Sequence, residues 1–391
     1  MNHPLAFGLF HPPYHPTGQN PTLALERNLL LAEHADMLGF DEFWFGEHHS
    51  GGFELSGCPE LMIAAAAQRT RRIRLGTGVN SLPYHHPLIL ADRWIQLDHL
   101  TRGRAMFGAG PGALVADALQ MGIDPLEQRR RMEEALEAIV ALIDGEERVT
   151  RRTDWFELRD ARLNMRPYSH PRPDIRVASI VSPAGPRAAG RWGLGLLSMG
   201  ATSAAGFEAL GTSWRIVSER AREYGQTVDR RRWSVVGPMH VAPTREQAYE
   251  DVRFGLLDWF AYFTTAAGSH APVSATDDFD DAIGQMNGSG MGVIGTPDDA
   301  IAQIERLLDR SGGFGSYLIM MHEWADWPAT LRSIELVARH VMPHFQGQLA
   351  RQEEWFEWFR SHRGEIHGHF DGAQAKALED HLAERGAASR P

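Results

Sequence analysis

The sequence predicts an α/β protein: a (β/α)8 TIM barrel with insertions and a C-terminal extension. Eight short apolar runs alternate with helical segments over residues 1–345, the pattern of a parallel sheet covered by helices. The runs are nearly continuous in apolar residues, as strands buried on both faces are. Glycine, serine and histidine gather at the C-terminal ends of these runs, where a barrel builds its functional loops. An open doubly wound sheet is the second architecture that the alternation permits.

The elements follow in order. AFGLF (6–10) is the first strand, and NPTLALERNLLLAEHADMLGF is a helix with Gly39 as its stop. EFWFG (42–46) precedes the helical PELMIAAAAQRT. IRLGTGV (73–79) runs into glycines before HPLILADRWIQLDHLT, a helix with Pro87 in its first turn. GRAMFGAGPG (103–112) is a strand and tight turn, followed by a strongly amphipathic helix over 125–143. Residues 146–174 are expected to be irregular. IRVASI (175–180), LGLLSMG (194–200), WSVVGPMHVA (233–242) and SYLIMMH (316–322) are the remaining strands. The insertion 264–292, rich in Gly, Ser, Ala and Asp, is expected as a long loop. Residues 346–391 form a polar extension whose EEWFEWFR is expected as a helix docking on the barrel or on a partner subunit.

Composition narrows the function. The net charge of −11 argues against a nucleic-acid surface. Lys376, the only lysine, lies in the polar extension, which disfavours Schiff-base chemistry. Cys58 is the only cysteine, so an intramolecular disulfide and a Cys-rich metal site are excluded. No basic segment precedes a long apolar run at the N-terminus, and no run approaches the ~18 apolar residues of a membrane span. A cytoplasmic, non-membrane protein is expected.

The chemistry-bearing residues sit at strand ends. The first strand leads to His11 and His15, the second to Glu47, His48 and His49, the third to Asn80, Tyr84, His85 and His86. His48 and His49 point to opposite sides of an extended chain, which disfavours a shared metal, so no metal is expected. GAGPGA (108–113) lacks the G-x-G-x-x-G spacing of a dinucleotide turn. Its glycines make a tight turn or let a flat ring approach the backbone. Ser179 and Ser182, before a helix that Pro183 starts, are either a serine cap or a phosphate site. Arg131, on the helix after the fourth strand, is either solvated or in reach of that phosphate.

GFDEFWFGEHH, RIRLGTGVNSLPYHHPLILADRWIQLDHLTRGRAMFGAGPG and AAGRWGLGLLS resemble the bacterial luciferase-like flavin-dependent monooxygenases, in order over residues 6–345. FHPPYHPTG, GIDPLEQRRRMEEA and HEWADW are most similar to the members described as limonene monooxygenases. The resemblance implies a barrel that binds reduced FMN (FMNH2) from a separate flavin reductase. It implies reaction with O2 through a C4a-(hydro)peroxyflavin to oxygenate a small, apolar organic substrate. It places a non-prolyl cis peptide at Gly78–Val79 beside the flavin, with Asn80 and Gly110 near it, and the phosphate on Ser179 and Ser182, with Arg131 as a further candidate. It makes His48 the acid–base group, with Glu47 as its orienter. His11, His15 and His49 are expected toward the substrate, 264–292 as a mobile lid, and a homodimer or homotetramer as the assembly.

Where the luciferase alpha subunit has a reactive cysteine this chain has Gly110, and a neighbouring arginine is Pro111. That removes luminescence from the expectations. Related barrels use the deazaflavin F420 and transfer hydride, so an F420-dependent oxidoreductase is the alternative. A non-catalytic flavin-binding protein is the third reading, opposed by the presence of His48.

Overall fold

The computed structural model describes residues 3–12, 14–145, 147–266 and 272–388. Eight parallel strands carry the fold: β1 (Ala6–His11), β2 (Glu42–Phe45), β3 (Arg74–Thr77), β4 (Ala105–Gly110), β5 (Asp174–Ser179), β6 (Gly195–Ser198), β7 (Trp233–Val241) and β8 (Ser316–Met320). Each pairs with the next, and β8 returns to β1 with Ser316 opposite Ala6 and Leu318 opposite Gly8. The sheet is therefore a closed barrel, not an open doubly wound sheet. All eight expected strands are present, each starting within two residues of its expected place.

Helices cover the outside, and their boundaries follow local chemistry. The first, α1 (Pro21–Leu38), starts at Asn20, whose side chain accepts from Thr22 N, and stops at Gly39 with φ 88°, the left-handed cap that glycine adopts without strain. Next come α2 (Pro59–Arg69), α3 (Pro87–Thr101), the short α4 (Val115–Gln120), α5 (Gln128–Asp144) and α6 (Ala184–Trp192).

The barrel interior is layered. Phe10, Trp44, Met106, Leu197, Val236 and Leu318 form one buried cluster, with Val79, Met199 and Met320 partly buried against it. At the N-terminal ends of the strands lies an ionic layer. Arg176, 1% exposed, donates to Glu42 Oε1 at 2.7 Å and Oε2 at 2.9 Å, to Asp174 Oδ2 at 2.9 Å, and to Ser234. Its guanidinium also lies 5.3 Å from the centre of a Trp44 ring. A buried charge persists only when partnered in this way.

Two expectations about segments are corrected. Residues 146–174 are not wholly irregular: Val149–Arg152 and Glu157–Ala161 pair as an antiparallel hairpin. Phe156 and Leu158 supply its buried contacts, and Trp155 Nε1 donates to Glu134 of α5 at 2.7 Å. The many arginines mask this short strand pattern in the sequence. The insertion 264–292 is not one loop either. A helix Leu256–Ala266 enters it, and Phe279–Gly288 is a helix started by Asp278, which accepts from Asp280 N and Asp281 N. Residues 267–271 of that insertion lie outside the described residues.

The chain divides into two compact units, Met1–Met342 and Pro343–Pro391. The second unit holds helices Ala350–Ser361 and Arg363–Ala388. Among the described residues no helix is long and apolar enough to cross a membrane.

Candidate active site

The loop after β2 is tied to its neighbours by backbone bonds. Gly46 N donates to His11 O at 2.9 Å, Gly78 N to Phe45 O at 2.6 Å, and His48 N to Ser56 O at 3.0 Å. These place Glu47, His48 and His49 at the C-terminal mouth of the barrel, between the loops of β1 and β3.

Glu47 and His48 do not face each other, which corrects the expectation that Glu47 orients His48. Alternation along an extended segment sends them to opposite sides. Glu47, 3% exposed, accepts from Ser81 N at 2.7 Å, His85 Nε2 at 2.7 Å and His49 Nε2 at 3.0 Å. Burial opposes its ionisation, but these donors prevail and hold the carboxyl at about 2. Arg93 donates to His85 Nδ1 at 3.2 Å, which assigns the His85 proton to Nε2 toward Glu47. His49 is thus bound to Glu47 and packs edge-on against Tyr84.

Asp117 of α4 orients His48 instead. It is 1% exposed and takes His48 Nδ1 at 3.0 Å on one oxygen, and His49 N at 3.1 Å and the Ser50 hydroxyl at 2.5 Å on the other. Among the described residues, His48 Nε2 has no hydrogen-bond partner, so it is the ring atom left for chemistry. Burial works against the imidazolium, yet the Asp117 bond and the charges of Glu54, Asp117 and Glu47 raise the His48 pKa above its ordinary value. The Asp117 carboxyl is lowered: burial raises it, and its bonds to His48 and Ser50 outweigh that. Sequence reasoning missed Asp117 because it lies in ALVADALQ, 69 residues downstream, with no local motif.

The expected cis peptide is present at Gly78–Val79. Glycines make room around it. A Cβ on Gly78 would lie 2.5 Å from the Phe10 ring, and one on Gly110 would lie 2.4 Å from Val79 Cγ2. Asn80 is fully buried; its Oδ1 accepts from Trp94 Nε1 at 2.9 Å, while its Nδ2 is buried without a partner. An unpaired buried donor costs about 1–3 kcal/mol, so it marks a place for an acceptor.

Ser179, at the end of β5, donates to Ser182 O at 3.3 Å, and Ser182 Oγ accepts from Ala184 N at 3.3 Å at the start of α6. The serine turn precedes Pro183, the N-cap of α6, and keeps hydroxyl oxygens at a helix N-terminus. Arg131 lies with its guanidinium 5.4 Å from the Trp155 ring centre, on the hairpin side of α5. His11 and His15 are both turned onto Asn28 Oδ1, at 2.7 and 3.1 Å from their Nε2 atoms. Burial and the neighbouring His15 push His11 down to about 4, despite its hydrogen bonds.

The cis peptide, the unpaired Asn80 amide donor and the serine turn before α6 follow or end β3 and β5 at one mouth of the barrel, and an unpaired donor with hydroxyls at a helix start suits a polar heteroaromatic ring with a phosphate tail. The family model described as luciferase-like monooxygenase matches residues 5–313. This chain belongs to the luciferase-like monooxygenases. Limonene 1,2-monooxygenase of Rhodococcus erythropolis is 51% identical over 343 residues, 88% of this chain and 87% of the other. 4-Hydroxyprotoasukamycin monooxygenase of Streptomyces nodosus subsp. asukaensis is 43% identical over 356 residues, 90% of this chain and 96% of the other. Among solved structures, the oxygenating constituent of 3,6-diketocamphane monooxygenase from Pseudomonas putida, described as a type II Baeyer–Villiger monooxygenase in complex with FMN, is 26% identical. It has a TM-score of 0.70 and is covered over 98% of its chain by 87% of this one. As a luciferase-like monooxygenase, the protein carries His48, the Gly78–Val79 cis peptide and Gly110 at the C-terminal ends of β2, β3 and β4.

Proposed function

We propose that the protein is the oxygenase of a two-component FMN-dependent system, fed with reduced FMN by a separate flavin reductase, and that it oxygenates a small, apolar organic substrate. The observation that carries this is the buried Asn80 amide left without a partner next to the Gly78–Val79 cis peptide, at the C-terminal end of β3. In this reading Val79, Asn80 and Gly110 hold the ring, and Ser179 and Ser182 hold the phosphate. Arg131, stacked on Trp155, is assigned to supporting the hairpin. Reduced FMN supplies the electrons that activate O2.

The protein's own groups do the rest. His48 moves a proton at Nε2, with Asp117 fixing its ring and offsetting the charge of the imidazolium. Glu47 stays ionised and braces the β3 loop through Ser81 and His85. The insertion 264–292 acts as a lid that keeps water from the site. Its stem is joined to the β2 loop by the Tyr262 hydroxyl, which donates to Glu54. The relatives that act on limonene and diketocamphane favour a cyclic terpene-like substrate. The chain is expected to work as a homo-oligomer.

The alternative, an F420-dependent oxidoreductase, is separated by anaerobic binding titrations with FMNH2 and F420H2. FMNH2 is expected to bind more tightly, and Asn80→Ala to weaken it. Tighter F420H2 binding would reverse the assignment.

A further inference from the structure

Residues 53–56 of the β2 loop are held from three sides. Tyr14 bridges Glu54 in antiparallel pairing, and His15 N donates to Phe53 O at 2.7 Å. His48 N donates to Ser56 O at 3.0 Å, which lays this segment against His48. The third side is the helix Leu256–Ala266. Its Tyr262 ring centre lies 4.9 Å from that of Tyr14 and 4.8 Å from that of Phe53, and its hydroxyl donates to Glu54 Oε1. The other carboxyl oxygen, Glu54 Oε2, is buried and has no hydrogen-bond partner among the described residues. A buried carboxylate is costly unless a cation or donors answer its charge. The charged groups around it are His48 and His15, which favour ionisation, and Asp117, which opposes it. Burial raises the Glu54 carboxyl, and the Tyr262 bond pulls it back. His48 in turn feels Asp117, Glu54 and Glu47 as anions, while His49 beside it is held by Glu47.

We propose that Glu54 is a second positioning carboxylate for His48, and that Tyr262, by donating to it, makes the insertion part of the proton-transfer site. The inference rests on the reading of His48 as the proton carrier. Asp117 fixes the ring at Nδ1, whereas Glu54 acts through its charge. When His48 Nε2 takes a proton, Glu54 offsets the new positive charge together with Asp117. Tyr262 sets how much of the Glu54 charge is present, because a hydroxyl donated to Oε1 stabilises the carboxylate over the acid. Tyr262 lies on the helix that enters the insertion. The seating of that helix and the proton held at His48 are therefore linked. The pair is 208 residues apart in the chain, so no motif announces it.

The test is the titration of the His48 ring by NMR on the full chain without flavin, its signals assigned by their loss in His48→Gln. Glu54→Gln removes the charge and is expected to lower the His48 pKa by about one pH unit. Tyr262→Phe keeps the ring contacts and loses only the hydroxyl, so it serves even where Glu54→Gln fails to fold. In Tyr262→Phe the Glu54 carboxyl rises and less of it is ionised. His48 is then expected to move down by a smaller step, and the acidic limb of the kcat/KM profile to move down with it. A purely structural Glu54 would lower the melting temperature of the variants and leave the His48 titration in place. An unmoved titration in either folded variant overturns the proposal. The NMR readout needs neither flavin nor substrate, so it is separate from the oxygenase reading, which fails instead if the wild type forms no product with reductase and O2.

Discussion

In the proposed mechanism the proton transfer rests on the His48–Asp117 hydrogen bond. His48→Ala is expected to lower reductase-coupled oxygenation roughly 10²–10⁴-fold, the range of general acid–base catalysis, while FMNH2 affinity stays close to wild type. Asp117→Asn is more diagnostic. With Asp117 ionised, the imidazolium persists above the ordinary histidine range, so a step that needs neutral His48 switches on only as pH rises through that raised value. Removing the charge weakens what raises the pKa and leaves burial, which lowers it, opposed by Glu54 and Glu47. The acidic limb of the kcat/KM profile therefore moves to lower pH in Asp117→Asn; an unmoved limb separates the titration from His48. Gly110→Ala tests the close packing of β4 on the cis peptide. Its Cβ would overlap Val79, so about 1–3 kcal/mol of stability is expected to be lost, with weaker FMNH2 binding, read by denaturation and titration. His48 and the cis pair at Gly78–Val79 were legible in the sequence through their motif. Asp117 was not, because a hydrogen bond between a β2 loop and a helix after β4 leaves no spacing to read.

At the scale of elements, Glu47 joins the β2 and β3 loops. Its folded carboxyl is depressed to about 2 from an ordinary 4.5, so the stability it contributes is present above the ordinary value and is lost as pH falls toward 2. Glu47→Ala leaves His49, His85 and Ser81 N without their acceptor. It is expected to cost about 3 kcal/mol and to flatten the acid end of the stability profile, measured by urea unfolding at stepped pH. Strand and helix order were readable because each barrel strand is a short apolar run between capped helices. The hairpin 149–161 and the helix Phe279–Gly288 were not. The hairpin buries only Phe156 and Leu158 among arginines, and Asp278 starts its helix within a stretch whose glycines and serines resemble a loop.

The whole barrel separates its ionic layer from the proposed site along its axis. Arg176, Glu42, Asp174, Ser234 and Ser316 close the N-terminal end, and the His48–Asp117 pair and the cis peptide lie at the other. Arg176→Met removes the close cation of buried Glu42, while Asp174 keeps Arg74 at 2.9 Å and Arg232 at 2.8 Å. It is expected to destabilise the protein by about 3–5 kcal/mol, read by denaturation, without changing FMNH2 affinity in the folded fraction. This layer was invisible in sequence because its members come from four strands, each looking like a polar strand start. The central claim, oxygenation with O2 and reductase-supplied FMNH2, is tested most directly by product mass spectrometry under ¹⁸O₂, with limonene as the probe substrate and a coupled flavin reductase. One ¹⁸O atom is expected in the product, and no product when reductase or O2 is withheld. Product formed without O2, or product carrying no ¹⁸O, would contradict it.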